Sequence, residues 1–357
     1  MAPYVVVLSV VMALVWLSVN SHLLIPASQR TVRSQNSVKP WNVFDVLVIL
    51  TLALFAAFRG GAGTDTENYY YFFRDLDPHW QWFPQIQESP FEPGFTLLGL
   101  SLKTISPETA WFFFVMAAVS VGAVYATLRR RSKSLQLAVF LYLSLGFYFA
   151  QFNTSRQSLA VSLCFYAGTL KRRKVIGILI FLVAVLIHYS AIVFVGICVA
   201  TTWFDRSSKQ TLTISLILAV IVVIATSIPR VQQLIGGVSD NYSEYLAETS
   251  SRAGLGYIAI MLLYLAAVVV LILGRQLHLE PWPTSAVMVG LLFLSLGVTS
   301  VVLGRLADYF LIFVLLVFPN AIVRFTNRIM FVAAAVLVGA AYMYLSLNSY
   351  GDLIPYG

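Results

Sequence analysis

The feature that most constrains this chain is an alternation of apolar runs with short basic clusters. Apolar stretches recur from residue 4 to residue 347. Between them stand compact groups of cations: Arg30/Arg33/Lys39, Arg129 to Arg131 with Lys133, Lys171 to Lys174, Arg206/Lys209, Arg275 and Arg324/Arg328. A helix crosses the hydrocarbon core with about 20 mostly apolar residues, and with fewer where it is broken inside a protein cavity. Basic residues confined to alternate connections are the signature of loops held on the cytoplasmic side. The composition agrees: 59% of the residues are hydrophobic and 11% charged, with a mean hydropathy of +0.83, too apolar for a surface facing water. The net charge of +8 does not point to nucleic acid, because its cations stand in short clusters between apolar segments, the positive-inside pattern.

The expected fold is therefore an all-α polytopic membrane protein in which residues 1–357 form a single transmembrane domain. Spans are placed near 4–25, 41–58, 109–128, 135–151, 156–170, 175–188, 190–204, 211–228, 255–273, 283–303, 306–323 and 329–347. That is about 12 transmembrane helices, with a range of 10–13. The pair around His188 is short on each side and reads either as two passes or as one long tilted helix. On this topology 16 of the 23 Lys and Arg lie inside, 12 of the 15 Asp and Glu lie outside, and both termini are external. Two external loops result, at 59–108 and 229–254. Residues 92–106 are apolar but do not fit the pass count, so they are expected as a re-entrant or interfacial helix opening at Glu92-Pro93-Gly94. The first segment lacks a basic leader and a cleavage site, and reads as a retained helix. Cys164 and Cys198 fall within apolar runs and suggest packing rather than a disulfide or metal site.

Polar residues in such a chain cost free energy unless something uses them. The first external loop combines Gly60, Gly61 and Gly63 with Asp65, Glu67, Tyr69, Tyr70 and Tyr71, then Trp80, Trp82 and Glu92. Carboxylates accept from sugar hydroxyls and aromatic faces stack on sugar rings; the plainer reading is an interfacial aromatic belt with solvated acids. Asp75 and Asp77 have the acid-x-acid spacing that holds a divalent metal on a sugar diphosphate in many glycosyltransferases, a weak signal against a solvated loop. Arg156 opens a span immediately after Asn153-Thr154-Ser155, where the guanidinium and free backbone N–H groups both favour an anion such as a phosphate. Snorkelling to the interface is its alternative. His188 interrupts two apolar stretches and is either a satisfied structural residue or a base, donor or phosphate ligand. Arg305, Asp308 and Tyr309 share one helical face, as a closed ion pair or as a second anion contact.

Taken in order, these residues resemble one family. Arg59 with Gly63-Thr-Asp65-Thr and Tyr69, then Glu92-Pro-Gly-Phe95, then Asn153-Thr-Ser-Arg156-Gln157 with Ala160, then His188-Tyr-Ser-Ala191, then Arg305 to Tyr309 and a closing Ile354-Pro-Tyr356 are similar to the EpsG family of Wzy-like exopolysaccharide and O-antigen polymerases. The resemblance runs from about residue 40 to the C-terminus. It implies a bundle like that of the type C membrane glycosyltransferases. Such a bundle joins undecaprenyl-pyrophosphate-linked oligosaccharides on the periplasmic face of a bacterial inner membrane, with lipid pyrophosphate leaving and no metal cofactor. A chain-length regulator and a flippase are the implied protein partners. On this reading Arg156, Arg305 and Arg59 bind pyrophosphate, and Asp65, Glu92 and His188 are the candidates for the catalytic base. Tyr69, Asn153, Gln157, Asp308 and Tyr309 are the candidates for sugar contacts. The competing readings are an O-antigen-ligase-like glycan transferase and, from another class, a polysaccharide or lipid-linked sugar transporter or flippase.

Overall fold

The computed structural model describes residues 1–21, 41–170, 173–202, 207–228, 279–297, 300–349, 353–354 and 356, and among these there are helices and no strands. The expected loop at 229–254 and span at 255–273 lie outside the described residues, as do the basic residues Arg30, Arg33, Lys39, Lys171, Arg172, Arg206 and Arg275.

Helix α1 (Ala2–Val19) packs against α2 (Val43–Ala57), and α2 packs in turn against α6 (Thr109–Arg131). The face that α2 buries includes Ala53, Ala56 and Ala57, and that of α6 includes Ala117, Ser120 and Val121. Small side chains let two backbones approach closely, which is how helices associate where lipid supplies no hydrophobic drive between them. Outward-facing residues are apolar instead. Along α10 (Lys174–Ile187) the residues Val175, Leu179, Leu182 and Leu186 are all at least half exposed, a stripe suited to acyl chains and not to water.

Contacts between sequence-distant residues define two ends of the bundle. At one end Asp45, opening α2, meets Arg129, closing α6; Arg130 donates to the Thr169 hydroxyl, Arg131 pairs with Glu280, and the Lys133 N–H donates to the Asn320 side chain. These are the residues that the charge count assigns to one side of the membrane. At the other end the close of α2 meets the start of α9 (Ser155–Ala167), with Arg59 donating to the Gln151 carbonyl. Tyr4 meets Phe55 and Tyr356 edge-on there, those two rings stack on each other, and the Tyr356 hydroxyl donates to the Phe55 carbonyl.

The expectation of about 12 membrane helices is met only in part. Four helices among the described residues are long and apolar enough to cross alone: Ala2–Val19, Thr109–Arg131, Lys209–Thr226 within α12 (Ser208–Ser227), and Arg328–Asn348 within α16 (Arg328–Ser349). A fifth results if α14 (Val301–Leu311) and α15 (Val314–Ile322), bent by 41°, count as one span. The other apolar helices are short: α2, α7 (Leu135–Ser144), α10, α11 (Ala191–Thr202) and α13 (Pro281–Leu296). At 1.5 Å per residue the 15 residues of α2 rise only about 22 Å, against a core of about 30 Å. The chain breaks where polar residues stand. His188 to Ser190 separate α10 from α11, and Thr154 separates the four-residue α8 (Ala150–Asn153) from α9.

The expected external loop 59–108 is also more ordered than a loop. It contains α3 (Thr66–Asp75) and α4 (Trp82–Glu88), and the expected interfacial segment is α5 (Pro93–Lys103), with Glu92 at its N-cap.

Candidate active site

The site is built where three interruptions meet: the α2–α3 connection, the start of α5, and the break between α10 and α11. Two glycines set the approach. Gly63 has φ of +101°, and a Cβ there would stand 2.3 Å from the Phe152 carbonyl oxygen; only glycine takes that backbone and leaves room for that contact. The Thr64 N–H then donates to the Asn153 side chain at 2.9 Å, so the loop is pinned across α8 and α9. At Gly94 a Cβ would fall 2.6 Å from the Leu186 Cβ and 2.7 Å from the Leu186 carbonyl. The first turn of α5 thereby lies directly on the last turn of α10, which delivers Glu92 to His188.

Glu92 is the hub. One carboxylate oxygen pairs with Arg156 Nη1 and the other lies 2.6 Å from His188 Nδ1. The Glu92 side chain is 3% exposed and that of Arg156 17%. Arg156 lies over the Phe91 ring, 4.2 Å from its centroid, and Tyr69 stands beside it, buried against Phe91 and Phe95. Burial, the largest influence on Glu92, raises its proton affinity; the hydrogen bond from His188 and the charge of Arg156 outweigh it and hold the carboxyl down to about 2. Glu92 is thus an ionised anchor that aims Arg156.

Arg156 also lines a cavity of about 690 Å³ that opens over α3 and α4. Asp65 lines it too, at the N-cap of α3, half-buried and with no side-chain capping bond. Burial raises its proton affinity, and the charges of Arg305 and Arg156 partly offset this. A carboxylate without a committed hydrogen bond, shifted toward neutrality and facing a cavity with a fixed cation, is suited to accepting a proton.

Of the residues singled out from sequence, Asp65, Tyr69, Tyr71, Asp75, Asp77, Trp80 and Arg156 line the cavity, with Glu92 and His188 behind Arg156. Others hold the elements together. Gln157 donates to the Arg305 carbonyl at 2.8 Å and to Asp308 Oδ2 at 3.2 Å, tying α9 to α14, while the hydroxyls of Tyr309 and Ser190 lie 3.1 Å apart. Tyr309 is fully buried and Asn153 receives Thr64, so neither faces the cavity as a sugar contact would.

Arg59 departs from its expected role. It is 2% exposed and donates to the Gln151 carbonyl at 2.9 Å and to the Ser155 hydroxyl at 3.4 Å. Its guanidinium lies over Phe113, 3.8 Å from the ring centroid. A cation enclosed by aromatic faces is a buried brace between α2, α6 and α9; it is not open to a pyrophosphate.

Asp75 pairs with Arg74 at 2.8 Å and Asp77 Oδ1 takes the His79 N–H at 2.9 Å. Among the described residues no three His, Cys, Asp or Glu side chains converge.

Sequence reasoning missed several cavity residues: Asn68, Gln85, Glu88 and Phe91. Gln85 accepts the Asp77 N–H and donates to the Asp77 carbonyl, fastening the 76–81 connection to α4. The available signal was the pairing of aromatic and amide residues in Trp82-Phe-Pro-Gln-Ile-Gln-Glu88. No curated protein and no solved structure matches the chain. Residues 42–357, which carry the cavity, its anchor and the α9–α14 tie, match the EpsG family, and the chain belongs to that family.

Proposed function

We propose that this protein polymerises lipid-linked glycan repeat units, acting as a membrane glycosyltransferase with a lipid-pyrophosphate-linked oligosaccharide as donor. Membership of the EpsG family supports an exopolysaccharide-related polymerase. The observation that carries the reaction is that Asp65 and Arg156 face one cavity, with Arg156 held by a buried Glu92.

In the proposed step an acceptor hydroxyl attacks the anomeric carbon of the donor sugar. A new glycosidic C–O bond forms, the bond from that carbon to the pyrophosphate oxygen breaks, and the hydroxyl proton passes to Asp65. Negative charge grows on the leaving pyrophosphate, where Arg156 meets it. A preorganised cation at that position is worth most in a partly dry site. Arg305, whose charge reaches Asp65, is the second cation of the reading. Glu92 and His188 act by positioning Arg156, and the reading invokes no metal.

The proposed topology has the short helices completing about twelve passes of a bacterial inner membrane. The cavity and both termini face the periplasm, where undecaprenyl-pyrophosphate carriers are available and nucleotide sugars are not. A flippase that supplies the units and a regulator of chain length are the expected partners.

The test is reconstitution of the purified protein in lipid discs with an undecaprenyl-pyrophosphate oligosaccharide. A ladder of products at integral multiples of the repeat unit, unchanged by chelator, is the expected outcome. Transfer of preformed polymer to another acceptor without any ladder would indicate a ligase instead.

A further inference from the structure

We infer that the outer part of the cavity is a saccharide subsite that selects neutral or amino-sugar repeat units and rejects acidic ones. The inference rests on the polymerase reading for the kind of ligand, but its own basis is the charge and shape of the cavity wall.

The 690 Å³ cavity is of the size that encloses a ligand of several hundred daltons, which for a glycan is a few rings. Arg156 is the one cation among its described lining residues and is already balanced by Glu92. A pyrophosphate seated at Arg156 leaves the attached sugars to extend over α3 and α4. The wall there carries Asp65, Asp75, Asp77 and Glu88. Arg74 offsets Asp75 through an exposed pair that is itself screened by water, and Lys103, held on the Phe73 and Arg74 carbonyls, reaches Asp75 and Asp77, which leaves the carboxylates in excess.

Between these carboxylates lie flat faces. Tyr71 and Trp80 line the cavity about half exposed, 48% and 52%, with the Arg74 guanidinium over the Tyr71 ring, 4.8 Å from its centroid. Such rings offer the apolar face of a pyranose a surface, while carboxylates accept from its hydroxyls. The Gln85 bonds to both backbone groups of Asp77 hold this wall in place before any ligand arrives. A uronate in the repeat unit would bring its carboxylate among these acids, and like charges held a few ångströms apart near a protein surface weaken binding by roughly tenfold. An ammonium group would be drawn to the same place.

The experiment uses the full-length protein in lipid discs. Binding of three synthetic probes is measured by calorimetry: lipid-pyrophosphate trisaccharides of equal length whose distal sugar is glucose, glucosamine or glucuronate. The expected result is that glucuronate binds about tenfold or more weakly than glucose, with glucosamine at least as tight as glucose. In Glu88→Gln, which alters an exposed side chain and leaves the Gln85 clamp intact, the difference narrows; in Asp75→Asn/Asp77→Asn/Glu88→Gln it falls below about threefold. Raising the salt concentration narrows it in the wild type. Equal binding of glucose and glucuronate probes by the wild type would overturn the proposal, as would no binding of any probe. A product ladder without this discrimination would leave the polymerase reading standing and remove the subsite. Discrimination in binding without a ladder would do the reverse.

Discussion

Two buried carboxylates, Asp45 and Glu92, stand at opposite ends of the bundle, and each pairs with an arginine. Asp45 accepts from the Ser18 and Tyr125 hydroxyls on one oxygen, and from the Asn42 N–H and Arg129 on the other. Its side chain is wholly buried, and that of Arg129 is 7% exposed. The network is closed among the described residues, since four donors fill the lone pairs of the carboxylate. It also caps α2, through a reciprocal pair of bonds between Asn42 and Asp45. Glu92 is almost as buried, yet its network is open on one side, because Arg156 continues into a cavity that also holds Asp65. Burial and ion pairing alone therefore do not separate an acid in a closed network from one beside a cavity. What separates them is whether a charge in the network meets space that a ligand can enter.

Breaking the closed network has the largest expected effect. Asp45→Ala leaves Arg129 without its buried partner, a loss of about 3–5 kcal/mol, and the expected outcome is little folded protein after detergent extraction, read by thermal melting and size exclusion. Arg156→Ala should act differently. Polymer formation falls by about 10²–10³ while the protein still extracts as a folded monodisperse species; Arg156→Lys, which keeps the charge and loses the fork, restores only part of the activity.

Closeness of approach is the next target. Gly94→Ala pushes α5 away from Leu186 and so separates Glu92 from His188. We expect a loss of polymer smaller than that of Arg156→Ala, with a lowered melting temperature. Acid titration sharpens the contrast further. Glu92 is held at about 2 in the folded protein, against about 4.3 in an unfolded chain. Its stabilising contribution is present in full above the unfolded value and is lost as pH falls toward 2. Melting temperature measured from pH 6 to pH 3 should therefore decline less steeply in Glu92→Gln than in the wild type. The smallest effect is expected at Tyr309→Phe. It removes one hydroxyl contact to Ser190 at 3.1 Å and should cost about 1 kcal/mol with polymer length unchanged.

The two ends differed in how far they were legible in the sequence. Apolar segmentation and the clustering of Arg and Lys placed Asp45 and Arg129 on one side and Asp65, Glu92, Arg156 and His188 on the other, because bilayer thermodynamics acts on composition over whole segments. Glu92-Pro-Gly also marked the start of α5, as an extended residue before a proline at the first helical position. The pairing of Glu92 with His188 across 96 residues was not legible, since it depends on Gly94 meeting the α10 backbone. The burial of Arg59 was not legible either, since its aromatic enclosure by Phe113 and Phe152 comes from α6 and α8, remote from it in sequence. The helix lengths were not legible for a related reason. Hydropathy does not register that α10 and α11 stop on either side of His188, or that α3 and α4 take up part of what reads as a loop.

On the proposed mechanism the open network works chemically through Asp65. Single-turnover formation of the two-repeat product by Asp65→Asn, at saturating lipid-pyrophosphate oligosaccharide, tests it most directly. The account predicts a rate lower by about 10²–10⁴, with substrate affinity within about threefold of the wild type. It also predicts that the wild-type rate falls on acidification at a pH above the ordinary aspartate range, because burial raises the proton affinity of Asp65. An Asp65→Asn protein that forms the two-repeat product at the wild-type rate would contradict the account.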